Sequence, residues 1–241
     1  MIKNFAHRGF SGKYPENTLL AFEKAIELGV DGIELDVHLS KDNEMVIIHD
    51  ENVSRTTNGE GYIKDLTYEE ISKLDASYIY TGQYGFNKIP TLREYFELVK
   101  DKDVITNIEL KTNIFEYPGI EQKVWELIQE YHLESKVIIS SFNHFSVMRM
   151  RKIAPMLEYG LLSETWIIDA GNYVNSLGIK YYHPIFRNLT DEVVKEIHQH
   201  GIKINTYTVN TEEDIKDMIS KDINIVISNF PDLVNEIMKT Y

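Results

Sequence analysis

Short apolar runs rich in β-branched residues alternate along the chain with longer amphipathic stretches. The apolar runs predict about eight strands, at residues 2–7, 32–37, 104–110, 136–140, 157–162, 179–183, 202–209 and 223–228. Apolar residues with helical spacing predict helices at 18–28, 91–100, 119–131, 144–153, 190–200, 211–220 and 233–239. This alternation is typical of a parallel sheet whose helices pack against its outer face.

The ends of the predicted helices are consistent with this interpretation. Four threonines stand at the starts of amphipathic stretches and are expected to be N-caps: Thr18, Thr91, Thr190 and Thr211. About eight strand–helix units in 241 residues match the size of a (β/α)₈ TIM barrel, an α/β fold. An open doubly wound sheet is the alternative that the pattern leaves open.

One segment interrupts the alternation after the second predicted strand. The residues SKDNE predict a turn, and MVIIHD after them predicts the returning strand of a hairpin. From residue 51 to about residue 88 the chain is polar and rich in Gly, Tyr and Asn, with one short helical piece. We therefore expect residues 1–241 to form a single barrel domain, with an insertion at about 51–88 that partly covers one end.

Composition excludes several classes of function. The chain has no cysteine, so it has no disulfide framework, thiolate nucleophile or zinc–thiolate site. Its net charge of −13 disfavours nucleic acid as a partner, and an anionic substrate would need a local basic cluster. The N-terminus does not resemble a secretory signal, and no window approaches the ~20 apolar residues of a membrane span. We expect no stable membrane insertion and a cytoplasmic location, whereas the oligomeric state is not predicted.

Candidate chemistry lies where the first three barrel strands end, which is where active groups of such barrels are found. These ends carry three pairs of ionisable residues: His7 with Arg8, Glu34 with Asp36, and Glu109 with Lys111. Side chains alternate along a strand, so both residues of the Glu34 pair share one face. Burying three carboxylates without a cation is costly, and these oxygens suit Ca²⁺, Mg²⁺ or Mn²⁺. The alternative is a set of solvated acids.

The histidines divide into two groups. His7 and His49 each follow a predicted strand and precede a charged residue, and beside a cation site they predict acid–base chemistry. Read singly, either one is a hydrogen-bonded loop histidine. His38 is expected to be structural, and His183 either lines the barrel mouth or is structural.

Phosphodiester cleavage uses all of these groups. A cation and a guanidinium stabilise the negative charge that gathers on the phosphate. One imidazole removes a proton from the attacking hydroxyl, and the other protonates the leaving alkoxide. The sequence therefore predicts a metal-dependent phosphodiesterase.

The motifs as a set closely resemble those of the glycerophosphodiester phosphodiesterase family. They are HRG with PENT, then IELDV, VIIHD and RTTNG, then NIELK, TYTVN and ISNFPD, in the order usual for the family and over essentially the whole chain. The resemblance implies a (β/α)₈ barrel with a small insertion after strand 2. It implies hydrolysis of glycerophosphodiesters, as small-molecule substrates, to glycerol 3-phosphate and an alcohol, with one divalent cation, Ca²⁺ or Mg²⁺.

The resemblance also implies roles for individual residues. His7 and His49 would be the acid–base pair, and Arg8 and Lys111 would contact the phosphate. The implied metal ligands are Glu34, Asp36 and Glu109. The implied nucleophile is the glycerol 2-hydroxyl of the substrate, which forms a cyclic phosphate that water then opens. This accounts for the absence of a protein nucleophile.

Two departures from the family pattern concern substrate preference. Tyr207 stands where the family usually has Trp, so the aromatic expected to flank the glycerol is smaller and carries a hydroxyl. Asn229 stands where the family usually has Asp. The PENT motif leaves two alternatives open for Glu16 and Asn17: they either help to hold the site or cap the following helix.

Two other functions compete with hydrolysis of glycerophosphodiesters. A lysophospholipase D, or a related lyase acting on lysolipids, would need an apolar surface near the barrel mouth. Residues of the insertion would form either that surface or a small local core: Tyr78, Ile79, Tyr80, Tyr84 and Phe86. A non-catalytic phosphodiester-binding protein is disfavoured because every expected catalytic position is filled. The preferred head group is not predicted.

Overall fold

The strands form a closed parallel barrel in the computed structural model, which describes residues 2–240. They are β1 (Lys3–His7), β2 (Gly32–Leu39), β3 (Met45–Ile47), β4 (Ile105–Leu110), β5 (Val137–Ser141), β6 (Glu158–Ser163), β7 (Tyr181–Pro184), β8 (Lys203–Thr206) and β9 (Ile225–Ser228). β1 pairs with both β2 and β9, which closes the barrel and excludes an open sheet. β3 lies outside the closed ring and pairs antiparallel with β2, which confirms the predicted hairpin.

The helices follow the predicted order. They are α1 (Leu19–Glu27), α2 (Tyr68–Ile71), α3 (Leu92–Val99), α4 (Ile120–Glu130), α5 (His144–Ile153), α6 (Ala170–Ser176), α7 (Asp191–Gln199), α8 (Glu212–Ser220) and α9 (Pro231–Met238). All four predicted threonine caps are confirmed, since each hydroxyl accepts the backbone N–H of the residue three positions later. Each such bond pairs an N–H that would have no partner within the helix.

The largest differences from the prediction are a helix that was not predicted and a strand that ends early. Helix α6 was not predicted because AGNYVNS is rich in weak helix formers, and its stability comes from packing. Gly171 of α6 approaches α7 closely, and a Cβ there would lie 2.8 Å from the Cα of Ile197. Strand β8 is shorter than predicted: it ends at Thr206, and Tyr207 forms only a single bridge with Ile185.

An apolar layer fills the amino-terminal part of the barrel interior. Phe5 packs there with isoleucines of β5 and β9. Gly32 of β2 makes room for its ring, since a Cβ at Gly32 would lie 2.4 Å from Phe5. Two residues further along, β1 and β2 carry His7 and Glu34 as register partners. The ionisable side chains therefore lie above this layer, at the carboxyl end.

The insertion between β3 and α3 has a small apolar core of its own. This core consists of Val46, Ile48, Val53, Ile63, Ile71, Ala76 and Ile89. Of the five residues considered from the sequence, Tyr78, Ile79 and Phe86 are 55–61% exposed. Tyr80 and Tyr84 donate hydrogen bonds to backbone carbonyls of the loop after β1. The insertion therefore contacts the carboxyl end of the barrel through these tyrosines.

No helix within residues 2–240 combines the length and the apolar character needed to cross a bilayer.

Candidate active site

Three carboxylates converge inside the barrel. Glu34 and Asp36 extend from β2, and Glu109 extends from β4 opposite Asp36. One carboxylate oxygen from each residue lies within 4.8 Å of those from the other two. All three residues are at most 6% exposed. The two neighbouring strands thus present their acids to one enclosed point.

The electrostatics of this cluster fit a bound divalent cation. Burial and repulsion from the neighbouring acids raise the pKa of Glu34 well above its usual range, and burial raises the pKa of Glu109. Among residues 2–240, none donates a hydrogen bond to the buried Oδ1 of Asp36. A cation with oxygen ligands would satisfy that oxygen and offset the repulsion.

Two basic side chains compensate part of the negative charge. The Nζ of Lys111 lies 2.9 Å from Glu109 and 3.6 Å from Asp36. The Nε of Arg8 lies 3.6 Å from Asp36. Burial alone would raise the pKa of Asp36, but the charges of Lys111, His49 and Arg8, with a hydrogen bond from Asn17, hold it well below its usual range. Asp36 is therefore an anion between two cations.

The HRG sequence turns the chain sharply after β1. Arg8 adopts a left-handed backbone conformation with φ of 55°, which is unfavourable for a residue with a side chain. Gly9 is also left-handed, and a Cβ there would lie 2.7 Å from the backbone of Ala21. The backbone N–H of Arg8 donates to Glu34 at 3.1 Å. The turn thus joins the first strand directly to the acidic cluster.

His7 is oriented by the last strand of the barrel. Its Nδ1 lies 2.6 Å from Oδ1 of Asn229, which only accepts, so Nδ1 carries the proton. Its Nε2 lies 3.8 Å from Glu34. Burial and the charge of Arg8 lower the pKa of His7 to about 3. The ring is neutral at pH 7, with Nε2 facing the acids.

His49 is held at both its ring and its backbone. Its Nδ1 donates to Asp50 at 2.5 Å, and this hydrogen bond is the main reason that the pKa of Asp50 is far below its usual range. His38 contacts the carbonyl oxygen of His49 at 3.1 Å and Tyr117 at 3.0 Å, consistent with the structural role expected of it. The backbone N–H of Ile48 donates to the carbonyl oxygen of Asp36 at 3.2 Å, so His49 directly follows a residue that is bound to the acidic strand.

Two further candidates, Tyr207 and His183, lie in different surroundings: one is near the strand ends and the other is buried inside the barrel. Tyr207 is half-buried, donates to the carbonyl of Ser163 at 3.2 Å, and meets the ring of Phe142 edge-on at 6.0 Å. It therefore lies next to the carboxyl ends of β5, β6 and β8. His183 is fully buried inside the barrel and accepts a hydrogen bond from Asn205 at 2.8 Å. His183 is structural and does not line the mouth.

Glu16 and Asn17 of the PENT motif contact charged residues of the site. Asn17 donates to Asp36 at 2.9 Å, while Glu16 accepts from Arg8 and from Arg55. The helix is capped by Thr18 instead.

Sequence reasoning did not assign roles to two residues that contact this site, Asp50 and Arg55. The sequence shows Asp50 only as a charged residue next to His49. It shows Arg55 only as the first residue of the RTTNG motif, because the contacts of Arg55 depend on how the insertion folds.

Comparisons with known proteins agree with this geometry. The sequence model of the glycerophosphoryl diester phosphodiesterase family matches residues 7–233. A glycerophosphodiester phosphodiesterase of Caldanaerobacter subterraneus subsp. tengcongensis is 46% identical over 235 residues, covering 97% of each chain. One from Bacillus altitudinis is 44% identical, covering 96% of each chain.

A solved structure extends the comparison to a bound molecule. It is that of an Oleispira antarctica phosphodiesterase in complex with the product sn-glycerol-3-phosphate. The two folds superpose with a TM-score of 0.88 at 28% sequence identity, over 98% of this chain and 96% of that one. The chain described here belongs to the glycerophosphoryl diester phosphodiesterase family.

Proposed function

We propose that the protein hydrolyses glycerophosphodiesters to glycerol 3-phosphate and an alcohol, with one divalent cation and the imidazoles of His7 and His49. The observation that carries this proposal is the convergence of three carboxylates, two basic side chains and two imidazoles at one end of the barrel. The named activities of the relatives and the product bound to the Oleispira enzyme support it.

The acidic cluster would hold the cation. Glu34, Asp36 and Glu109 supply only oxygen ligands, which suits Ca²⁺ or Mg²⁺. When bound, the cation neutralises charge that develops on the phosphate oxygens. Three ionised carboxylates balanced by Arg8 and Lys111 leave one negative charge, so a divalent ion makes the site positive. The site then attracts an anionic phosphodiester despite the acidic surface of the protein.

Arg8 and Lys111 would bind the phosphate. A guanidinium donates two parallel hydrogen bonds to phosphate oxygens, while an ammonium acts as a compact charge. Burial alone would lower the pKa of Lys111, but the charges of Glu109 and Asp36 raise it above its usual range, so the cation persists. Both side chains already lie against the acidic cluster, which reduces the entropy lost when they engage the substrate.

The two imidazoles divide the proton transfers. Each donates from Nδ1 to a protein oxygen, which leaves Nε2 of each ring for the substrate. One ring, which carries no proton on Nε2, removes the proton of the glycerol 2-hydroxyl as its oxygen attacks phosphorus. The other ring, which carries a proton on Nε2 as well as on Nδ1, gives the Nε2 proton to the alkoxide that leaves. Water then opens the resulting cyclic phosphate with the two proton transfers reversed. No side chain of the protein forms a covalent bond in this sequence.

A coupled assay for glycerol 3-phosphate tests the proposal. The enzyme is stripped with EDTA and assayed on glycerophosphocholine, glycerophosphoethanolamine and glycerophosphoglycerol, with each divalent ion added in turn. We expect no turnover in EDTA and recovery with Ca²⁺ or Mg²⁺. Full activity in EDTA would contradict the metal site, and no product with any combination would contradict the function.

A second candidate function rests on the exposed side chains of the insertion. Tyr78, Ile79 and Phe86 offer an apolar surface that would suit a lysolipid acyl chain. Competition between glycerophosphocholine and lysophosphatidylcholine distinguishes the two functions. A glycerophosphodiesterase prefers the first substrate, and a lysophospholipase D prefers the second.

A further inference from the structure

Arg8 and His49 are linked by side chains to which the proposed reaction gives no role. Arg55 donates from Nη1 and Nη2 to the two carboxylate oxygens of Glu16, at 3.0 and 2.7 Å. Its Nε donates to Asp50 at 2.6 Å. Glu16 also accepts from Arg8 at 3.0 Å, and Asp50 accepts from His49 at 2.5 Å. The chain of contacts runs from the phosphate-binding guanidinium to an imidazole.

The geometry of Arg55 suits a positioning role. Its guanidinium is planar and rigid, so binding two carboxylates at once fixes their distance and relative orientation. Arg55 belongs to the insertion, whereas Glu16 belongs to the loop after β1. The bridge ends at Arg8 on one side and at His49 on the other, so its loss should disturb the alignment of both side chains in addition to any effect on stability.

We propose that Arg55 and Glu16 are positioning residues that set the orientations of His49 and Arg8 together. Arg55 fixes Asp50, which holds the imidazole through Nδ1, and Glu16 fixes the guanidinium of Arg8. Because Arg55 lies in the insertion and Glu16 in the loop after β1, the two catalytic side chains are aligned only when the insertion packs against that loop. This inference rests on the proposed function, because it assumes that Arg8 and His49 act on the substrate.

A matched pair of variants tests the bridge. Arg93 is the control, since it also forms a two-pronged ion pair, with Glu130 on α4, and its side chain is 50% exposed against 44% for Arg55. We expect Arg55→Met to lower kcat about 10- to 100-fold, the range found when groups that orient catalytic side chains are removed. Arg93→Met should stay within about twofold of the parent enzyme. Equal activities of the two variants would overturn the proposal.

Two further measurements separate positioning from a general loss of structure. Arg55→Lys keeps the charge but not the fork, so we expect only partial recovery of kcat, and full recovery would contradict a geometric role. In a double-mutant cycle, Arg55→Met should lower kcat by a smaller factor in an Asp50→Asn background than in the parent, because the part of its effect that reaches His49 passes through Asp50. If the decrease of kcat in the double variant equals the product of the two single decreases, Arg55 does not act through Asp50.

A spectroscopic measurement tests the bridge independently of enzymatic activity. The Nδ1 shift of His49 in ¹⁵N spectra, assigned by its absence in His49→Gln, reports the hydrogen bond that Nδ1 donates to Asp50. We expect the same Nδ1 shift in the parent and in Arg93→Met, and a changed shift in Arg55→Met. An inactive parent with this pattern would contradict the proposed function and leave the bridge intact. An active parent with unchanged shifts in Arg55→Met would contradict the bridge.

Discussion

Asp36 of β2 and Glu109 of β4 are direct register partners, and both side chains point into the barrel. A slip of one residue between these strands would turn one carboxylate outward, because side chains alternate between the two faces. The strand register therefore decides whether the proposed metal ligands face one another. Lys111, two residues beyond Glu109, shares that face and lies against both acids.

The charge of Glu34 is expected to oppose folding when no metal is bound. Burial and two neighbouring carboxylates raise its pKa, so ionised Glu34 is unfavourable in the metal-free fold. We expect Glu34→Gln to raise the melting temperature in EDTA and to reduce the stabilisation produced by Ca²⁺ or Mg²⁺. Calorimetric melting with and without the ions measures both effects. An exposed control in the middle of a helix, Glu23→Gln on α1, should change neither.

Removal of either imidazole of the proposed acid–base pair is expected to slow the reaction without unfolding the protein. His7→Ala and His49→Ala should each reduce kcat by about 10²–10⁴-fold, the usual contribution of general acid–base catalysis. His200→Ala, an exposed histidine just after α7, is the control and should leave kcat within about twofold. Near-parental turnover in either site variant, with far-UV circular dichroism unchanged, would contradict its assigned role.

Tyr207 is expected to act on the substrate through its ring. Tyr207→Phe removes the hydrogen bond to Ser163, which should lower the free energy of unfolding by about 1 kcal/mol and leave KM nearly unchanged. Tyr207→Ala removes the wall next to Phe142 and should raise KM about tenfold. Steady-state kinetics on one glycerophosphodiester separates the two effects. A larger rise of KM in Tyr207→Phe would assign binding to the hydroxyl.

The buried imidazole of His183 predicts a loss of stability in mild acid. Burial lowers its pKa in the folded protein to about 3, whereas in the unfolded chain it takes up a proton below about pH 6.5. Its contribution to stability is therefore complete above pH 6.5. It declines as the pH falls toward 3, by about 1.4 kcal/mol per pH unit at most.

Urea unfolding at pH 7 and pH 5 measures this contribution. A buried His183 would account for about 2 kcal/mol of the loss between pH 6.5 and pH 5. His183→Gln keeps an acceptor for Asn205 and removes the titration, so its unfolding free energy should depend less on pH. Some dependence should remain, because burial also lowers the pKa of His38, to about 4. Identical pH dependence in parent and variant would contradict this assignment.

The order of the strands and helices, and most of the charged groups of the candidate site, were predictable without the structure. Strand alternation, helical spacing and threonine caps depend on residues close in the chain, so the barrel and its helices were predictable from local pattern. Glu34, Asp36 and Glu109 were predictable as a cluster because carboxyl ends of barrel strands meet at one rim. Helix α6 was not predicted from the sequence because its stability comes from contact with α7.

The side chains that hold the proposed catalytic groups became apparent only from the three-dimensional structure. Asn229 reaches His7 from the last barrel strand, and Arg55 reaches Glu16 across 39 positions of the chain. No local spacing encodes such pairs, because they depend on barrel closure and on how the insertion folds back against the loop after β1. The same holds for His183, whose place inside the barrel follows from the register of β7 beside β6 and from the space that Gly160 leaves for its ring.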